Sequence, residues 1–314
     1  MKLPSITLTH EEPEQEVAAL EGQSIGAGHY DRLINPSTVY LKPNGEFLCL
    51  WLKKVVSLEL QRDAFRVLKH KEIAPPGSAK RRGKASGNGA DPEAGSSILG
   101  SFDRDGRHHP CAEKAAFSRK HPRLFRQFIP YVEEVDRLYE QYLPEIYNSQ
   151  YLVALATWPE WLAGDSVFST IQVNKGFRTQ VHKDGNNLHS SVAPMTCFTN
   201  ASGGELIFPK YGVGVPYSNG DLLLANVHEW HGNAPFRSDP KKRFRTTCVF
   251  YFRARMVQCG TQAEEVERMR NRKRGDPLHG WIIDGKFISP EEQKQLAARY
   301  DDAERTVRAP RLGK

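Results

Sequence analysis

The sequence predicts an α+β protein in which a β sandwich or barrel sits between N- and C-terminal helical flanks. Three observations predict it. Between residues 167 and 252, six short β-rich runs follow one another (168–173, 178–182, 193–199, 205–209, 221–225 and 246–252), separated by Gly and Asn turns. Upstream, Phe125, Phe128, Val132, Val135, Tyr139 and Tyr142 recur at steps of 3, 4, 3, 4 and 3, which is one face of a helix. Downstream, Ser289-Pro290-Glu291-Glu292 offers a cap serine, a proline at the first helical position and a glutamate at the third, a helix start.

Taken in order, residues 1–30 read as a polar, acidic lead-in (Glu11, Glu12, Glu14, Glu16), expected to be loosely ordered. It lacks the apolar stretch of a secretory signal. The β-rich runs 38–41 and 46–52 flank Asn44-Gly45, a hairpin signal because both residues tolerate positive φ. Leu58, Leu60, Phe65 and Leu68 suggest a short helix. Residues 73–96 read as a linker or long loop, opening on Ala74-Pro75-Pro76-Gly77 and running through the basic cluster Lys80-Arg81-Arg82-Gly83-Lys84. Pro130 should kink or break the helix that contains it. Residues 31–314 are read as one domain with its β core at 167–253 and a helical extension at 260–314.

The chain has 314 residues, with 44 Lys+Arg against 37 Asp+Glu and a formal charge of +7. A hydrophobic content of 39% is enough for a sizeable core and excludes wholesale disorder. No apolar run reaches the roughly 18 residues of a membrane helix. The five cysteines are odd in number, widely spaced and without a C-x-x-C. That argues against a disulfide framework or zinc ribbon, and for packing residues in a reducing, intracellular setting. The modest positive charge permits an anionic partner.

The informative stretch is Arg178-Thr179-Gln180-Val181-His182-Lys183-Asp184. On a strand, His182 and Asp184 share a face, because side chains alternate with period two. One imidazole and one carboxylate are two corners of a metal site. Val227-His228-Glu229-Trp230-His231-Gly232-Asn233 supplies a third, His231, with His228 as the competing ligand. Two histidines and a carboxylate with open positions describe the facial triad of non-haem Fe(II) oxygenases. Arg245 then opens the mostly apolar strand 245–252. A guanidinium facing a core needs a partner, and a carboxylate bound through paired hydrogen bonds is the natural one. Thr247, on the same face, adds a hydroxyl. The distal carboxylate of 2-oxoglutarate suits this pair. Arg243 has the same parity, but Arg245 lies deeper in the apolar run.

His-x-Asp, a distal His and Arg-x-Thr, with Gly203-Gly204-Glu205-Leu206-Ile207-Phe208-Pro209 and Gly220-Asp221-Leu222-Leu223-Leu224 between, resemble the Fe(II)/2-oxoglutarate dioxygenases. Within them, Asn174-Lys175-Gly176-Phe177-Arg178-Thr179 before the His-x-Asp, Glu229-Trp230-His231-Gly232-Asn233 after it, and the upstream Gly100-Ser101-Phe102-Asp103-Arg104 resemble the TET/JBP branch. The resemblance implies a double-stranded β-helix (jelly-roll) barrel, Fe(II) on His182, Asp184 and His231, and 2-oxoglutarate and O₂ as cosubstrates. It implies oxidation of a methyl group on a DNA base: 5-methylcytosine to 5-hydroxymethylcytosine first, thymine next, N6-methyladenine in some members. Arg245, Thr247 and Arg178 are then candidates for holding cosubstrate, and Asn174, Thr179 and Asn187 for contacting the base.

Asn187 stands where acidic residues are common in that branch. A carboxylate only accepts and suits the cytosine amine, whereas an amide can also donate and could meet thymine O4. DNA is the expected partner, with phosphate contacts offered by 80–84, 119–126 and the run holding Arg268, Arg270, Arg272, Lys273 and Arg274. A nuclear location follows for a eukaryotic source and a cytoplasmic one for a bacterial or viral source. Two other readings stay open at this point: a 2-oxoglutarate-dependent hydroxylase of a protein side chain or small metabolite, and a non-catalytic basic DNA-binding protein.

Overall fold

A computed structural model describes residues 3–80, 92–104, 111–237, 244–271, 281–283 and 286–288. The largest sheet is mixed and has nine strands. Its order is β1 (Ser5–Thr7), β3 (Val39–Leu41), β4 (Phe47–Leu52), β12 (Leu222–Ala225), β8 (Ala193–Thr199), β15 (Arg245–Tyr251), β7 (Thr170–Lys175), β5 (Gly95–Asp103), β6 (Ala112–Lys114). A second mixed sheet has the order β13 (Gly232–Asn233), β10 (Leu206–Phe208), β11 (Val213–Val215), β2 (Arg32–Leu33). Two short ribbons pair β9 (Ser202–Gly203) with β14 (Phe236–Arg237), and β16 (Trp281–Ile283) with β17 (Lys286–Ile288).

The α+β class stands, but the jelly-roll barrel does not. Neither sheet closes, since no pairing joins β1 to β6 or β13 to β2 among the described strands. The physical reason lies at the edges. The N-terminal segment adds β1 parallel to β3 on one sheet and β2 parallel to β11 on the other, so these positions end the sheets instead of sealing them.

Period-two alternation gives the large sheet two different faces. Ile171, Val173, Phe198, Leu222, Leu224, Cys248 and Phe250 are buried against α2 (Leu58–Leu68) and α4 (Pro122–Tyr142). The alternate residues Met195, Cys197, Leu223 and Ala225 pack with Leu206, Phe208, Val213 and Val215 of the small sheet. Arg245 and Thr247 of β15 lie on this second face.

α2 begins at Leu58 and ends at Leu68, the first and last residues of its predicted apolar set. α4 carries the predicted stripe, with Phe128, Val132, Val135 and Tyr139 buried and Phe125 and Tyr142 partly so. It runs unbroken through Pro130. The hairpin forms between β3 and β4, with Gly45 at φ +85°.

Four expectations need correction. Residues 178–182 form no strand; only His182 is bridged. The lead-in is not loose, because it supplies β1 and the helix α1 (Glu14–Ala18), and buries Val17 and Ile25 against Val181, Ile207 and Trp230. Cys111 and Cys259 form a disulfide, so only Cys49, Cys197 and Cys248 are the expected buried thiols. After α6 (Gln262–Asn271), the described part of the C-terminal extension is the β16–β17 hairpin, not helix; the helix start at Ser289 lies outside the described residues. No helix among the described residues is long and apolar enough to cross a membrane.

Residues 81–91 of the basic loop also lie outside the described part, but its ends are tied: the amides of Gly77 and Ala79 both donate to the Ala94 carbonyl. There the backbones touch. A Cβ on Gly95 would lie 1.9 Å from the Ala74 carbonyl oxygen. Gly95→Ala is therefore expected to destabilise the protein by about 3 kcal/mol, because neither backbone can yield without shifting β5. Urea unfolding checks it; a midpoint unchanged from the parent would contradict this packing.

Candidate active site

His182 and His231 face each other across an antiparallel bridge, each amide donating to the other's carbonyl at 3.0 Å. The Asp184 amide donates to the Val227 carbonyl at 2.9 Å. The two segments are thus laced together by main chain, and this lacing, not strand alternation, aims the side chains. The ligand atoms of His182, Asp184 and His231 all lie within 4.8 Å of one another. His182 Nδ1 bonds the Gln180 carbonyl at 2.8 Å and His231 Nδ1 the Glu229 carbonyl at 2.9 Å. A carbonyl can only accept, so both protons sit on Nδ1 and both Nε2 lone pairs are left for a metal.

Asp184 turns Oδ1 towards His182 Nε2, at 3.4 Å, while its Oδ2 accepts from Asn187 Nδ2 at 3.2 Å. Burial first, and the neighbouring His182 second, push the His231 pKa down to about 4, with Asp184 acting in the opposite direction. The imidazole is thereby held in the neutral form that coordinates.

His228 does not join this group. Its Nδ1 lies 3.0 Å from the Asp184 carbonyl oxygen and its Nε2 3.2 Å from that of Leu188, so in either tautomer a ring N–H donates to this loop, and its ring stacks on His189. It braces the 184–188 loop.

Arg245 is buried, with its guanidinium over the rings of Tyr217 and Phe236. One terminal nitrogen donates to the Gly204 carbonyl at 3.0 Å and the Tyr217 hydroxyl at 3.3 Å. Among the described residues it has no carboxylate within ion-pair distance, and Glu205 acts on it only at longer range. A guanidinium has five N–H donors, so this one keeps capacity for an anion. Arg243 lies outside the described residues.

Tyr217, the hydrogen-bond partner of Arg245, and Thr247 line a cavity of about 360 Å³ that also exposes His182, Asp184 and His231. Asn174, Thr179 and Asn187 line the same cavity. Asn174 sits opposite Thr247 in the register and accepts from Ser96 Oγ at 2.6 Å. The Thr179 hydroxyl donates to Asn233. Arg178 is placed differently. Its guanidinium donates to the carbonyls of Ile25 and Asn233, and like Arg245 it does not itself line the cavity.

Gln172, Tyr217, Asn233, Tyr251 and Arg253 also line the cavity, and the sequence reading did not single them out. Tyr251 and Arg253 continue the parity of Arg245 and Thr247, a signal that was available. Tyr217 carried none. Arg253 bonds the buried Asp103 at 2.5 Å. The Gly-x-x-Asp-Arg segment thus holds a cavity arginine from the far edge of the sheet.

The lead-in braces the metal-ligand segments. Glu14 accepts from Lys183 Nζ at 2.8 Å and Trp230 Nε1 at 2.7 Å, one neighbour from each segment, and from Lys210 Nζ at 3.0 Å. Burial raises its pKa, but these three bonds outweigh it and bring the carboxyl down to about 2. A depressed carboxylate pKa stabilises the fold above the ordinary value near 4.5, and the contribution is lost as pH falls towards 2. Since the side chain is 49% exposed, solvent screening limits the gain. Glu14→Gln is expected to cost about 1 kcal/mol at pH 7 and nothing near pH 2. Denaturant titrations at both pH values check this; an equal cost at both would contradict the ion-pair account.

Comparison with known proteins agrees with this geometry. Residues 97–254, half of the chain, match the Tet_JBP family, described as the oxygenase domain of the 2OGFeDO superfamily. Thymine dioxygenase JBP1 of Crithidia fasciculata is 29% identical over 189 residues, covering 55% of this chain and 22% of that protein. The bifunctional helicase and thymine dioxygenase JBP2 of Leishmania major is 26% identical over 274 residues, covering 85% and 24%. This chain therefore spans about a quarter of the length of these relatives. The solved structure of NgTET1 in complex with 5mC DNA shares the fold, with a TM-score of 0.52 at 13% identity, over 75% of this chain and 84% of that one. With a His-Asp-His cluster and a buried arginine built on that fold, the chain belongs to the TET/JBP family of 2-oxoglutarate- and Fe(II)-dependent dioxygenases.

Proposed function

We propose that this chain binds Fe(II) through His182, Asp184 and His231, and oxidises a methyl group on a DNA base, 5-methylcytosine before thymine. One observation carries the reading: two imidazoles with Nε2 lone pairs and a carboxylate share a cavity wall with Thr247 and Tyr217, and the Tyr217 hydroxyl accepts from a buried guanidinium that has no carboxylate partner among the described residues. When bound, Fe(II) with 2-oxoglutarate and O₂ supplies an oxidant strong enough to break a methyl C–H bond.

The rest is the work of the chain. Arg245 and Thr247 hold the distal carboxylate of 2-oxoglutarate, and the Tyr217 and Phe236 rings keep water from the guanidinium. Asn187 steadies Asp184 through Nδ2, so it offers the substrate its carbonyl oxygen, the acceptor a cytosine amine requires. This supports 5-methylcytosine over thymine, although the relatives above are named as thymine dioxygenases. A base in a duplex must be flipped into the cavity, at a cost of a few kcal/mol. Of the basic runs, Arg268 and Arg270 on α6 are the candidates for phosphate contact, whereas Arg119, Lys120, Arg123 and Arg126, around the junction of α4 with the short helix α3 (Ala116–Lys120), lie on the helix-covered side of the sheet, away from the cavity.

The test is nucleoside mass spectrometry of methylated DNA incubated with the protein, Fe(II) and 2-oxoglutarate, with succinate measured in parallel. The expected product is 5-hydroxymethylcytosine, absent with His182→Ala. Succinate formation unchanged in that variant would reject the ligand assignment. Succinate without any modified nucleoside would reject DNA as the substrate.

A further inference from the structure

On the helix-covered side of the large sheet, away from the cavity, a second cluster gathers where α2 ends and α3 gives way to α4. His70, Glu72 and His121 place their ligand atoms within 4.8 Å of one another. His121 Nε2 lies 3.2 Å from Glu72 Oε1. Two ligands at about 2.1 Å from a tetrahedral Zn(II) are about 3.4 Å apart, so this pair already has the required spacing. His70 Nδ1 accepts the Glu72 amide proton at 3.3 Å, which shows a lone pair on that nitrogen. The third donor therefore needs a side-chain rotation, not a new protonation state.

The Phe117 ring packs against both imidazoles, at 5.2 and 5.0 Å, and holds them 4.6 Å apart. Lys120 Nζ sits 3.5 Å from Glu72 Oε2, which leaves Oε1 for another partner. His70 and His121 are half-buried and Glu72 is exposed, so solvent reaches the fourth position.

We propose that His70, Glu72 and His121 bind one Zn(II) ion, with water as the fourth ligand, and that the ion staples the end of α2 to the α3–α4 corner. Two imidazoles and a carboxylate are a zinc donor set, and no other described residue is needed. The site is independent of the iron centre: the two clusters share no residue and lie on opposite faces of the sheet.

The experiment uses the untagged full chain carrying His182→Ala and His231→Ala, so that the cavity triad cannot take the metal. Calorimetric titration with ZnCl₂ is expected to show one equivalent bound and a rise in melting temperature. Co(II) should give the visible absorption of a four-coordinate ion. Adding His121→Ala should weaken binding about 100-fold or abolish it. Glu72→Gln, at a more exposed position, should do the same without touching the helix junction, and serves if His121→Ala misfolds. No zinc bound by the parent, or an affinity unchanged by both variants, overturns the proposal and leaves Glu72 as an ordinary ion-pair partner of His121 and Lys120.

Discussion

Replacing Arg245 with leucine is expected to raise the KM for 2-oxoglutarate about 100-fold or more, while changing fold stability by no more than about 1 kcal/mol. The two halves have different causes. Removing one partner of a buried, hydrogen-bonded charge pair costs about 2–5 kcal/mol in binding. The unliganded protein, by contrast, already bears the cost of a buried cation without an ion-pair partner, so leucine relieves that cost. The Gly204 carbonyl keeps the Asn233 amide as a donor at 3.2 Å, so the change does not orphan it. Only the Tyr217 hydroxyl loses its bond. Arg245→Lys should recover little, because an ammonium cannot reproduce the planar two-donor fork. Succinate kinetics and thermal melts read both halves; an unchanged KM would remove Arg245 from the cosubstrate site.

His231→Ala is expected to lose stoichiometric Fe(II) binding and at least about 1,000-fold in turnover, whereas His228→Ala keeps the metal. The contrast follows from where the ring nitrogens point. His231 spends Nδ1 on the Glu229 carbonyl and turns Nε2 into the cavity; His228 has both nitrogens beside carbonyls of the 184–188 loop. It cannot replace a lost ligand without releasing that loop, and with it the Asn187 bond to Asp184. Iron content after anaerobic reconstitution separates the two variants. Equal loss in both would mean that loop order, not coordination, governs binding. The expected size rests on the general behaviour of such sites, where even second-layer partners alter affinity 10- to 100-fold.

The site was more legible in the chain than the fold around it. Residue type and spacing were enough to single out His182, Asp184 and His231, which the structure gathers into one cluster, and Thr247, which lines the same cavity, because metal and carboxylate binding each need particular donors. The reason given for His182 and Asp184 sharing a direction was mistaken all the same. They lie in an irregular segment and converge through main-chain bonds to His231 and Val227, which pair residues far apart in sequence. The bonds of Arg178 were equally hidden: a cation beside the motif donates to the carbonyls of Ile25 and Asn233, from segments distant in sequence. The brace by Glu14 could not be read at all, since an acidic lead-in looks the same whether it is solvated or paired with Lys183, Trp230 and Lys210.

Local pattern alone determined the amphipathic helices, the Asn-Gly hairpin and the alternating strands, because each depends on neighbours a few residues away. Tertiary structure decided whether the sheets close, which histidine faces the cavity, that Cys111 meets Cys259, and that Arg253 is held by Asp103. These outcomes depend on contacts between distant segments, such as Asp103 with Arg253 150 residues on, where many pairings satisfy the same local preferences and only simultaneous burial of both sheet faces selects one.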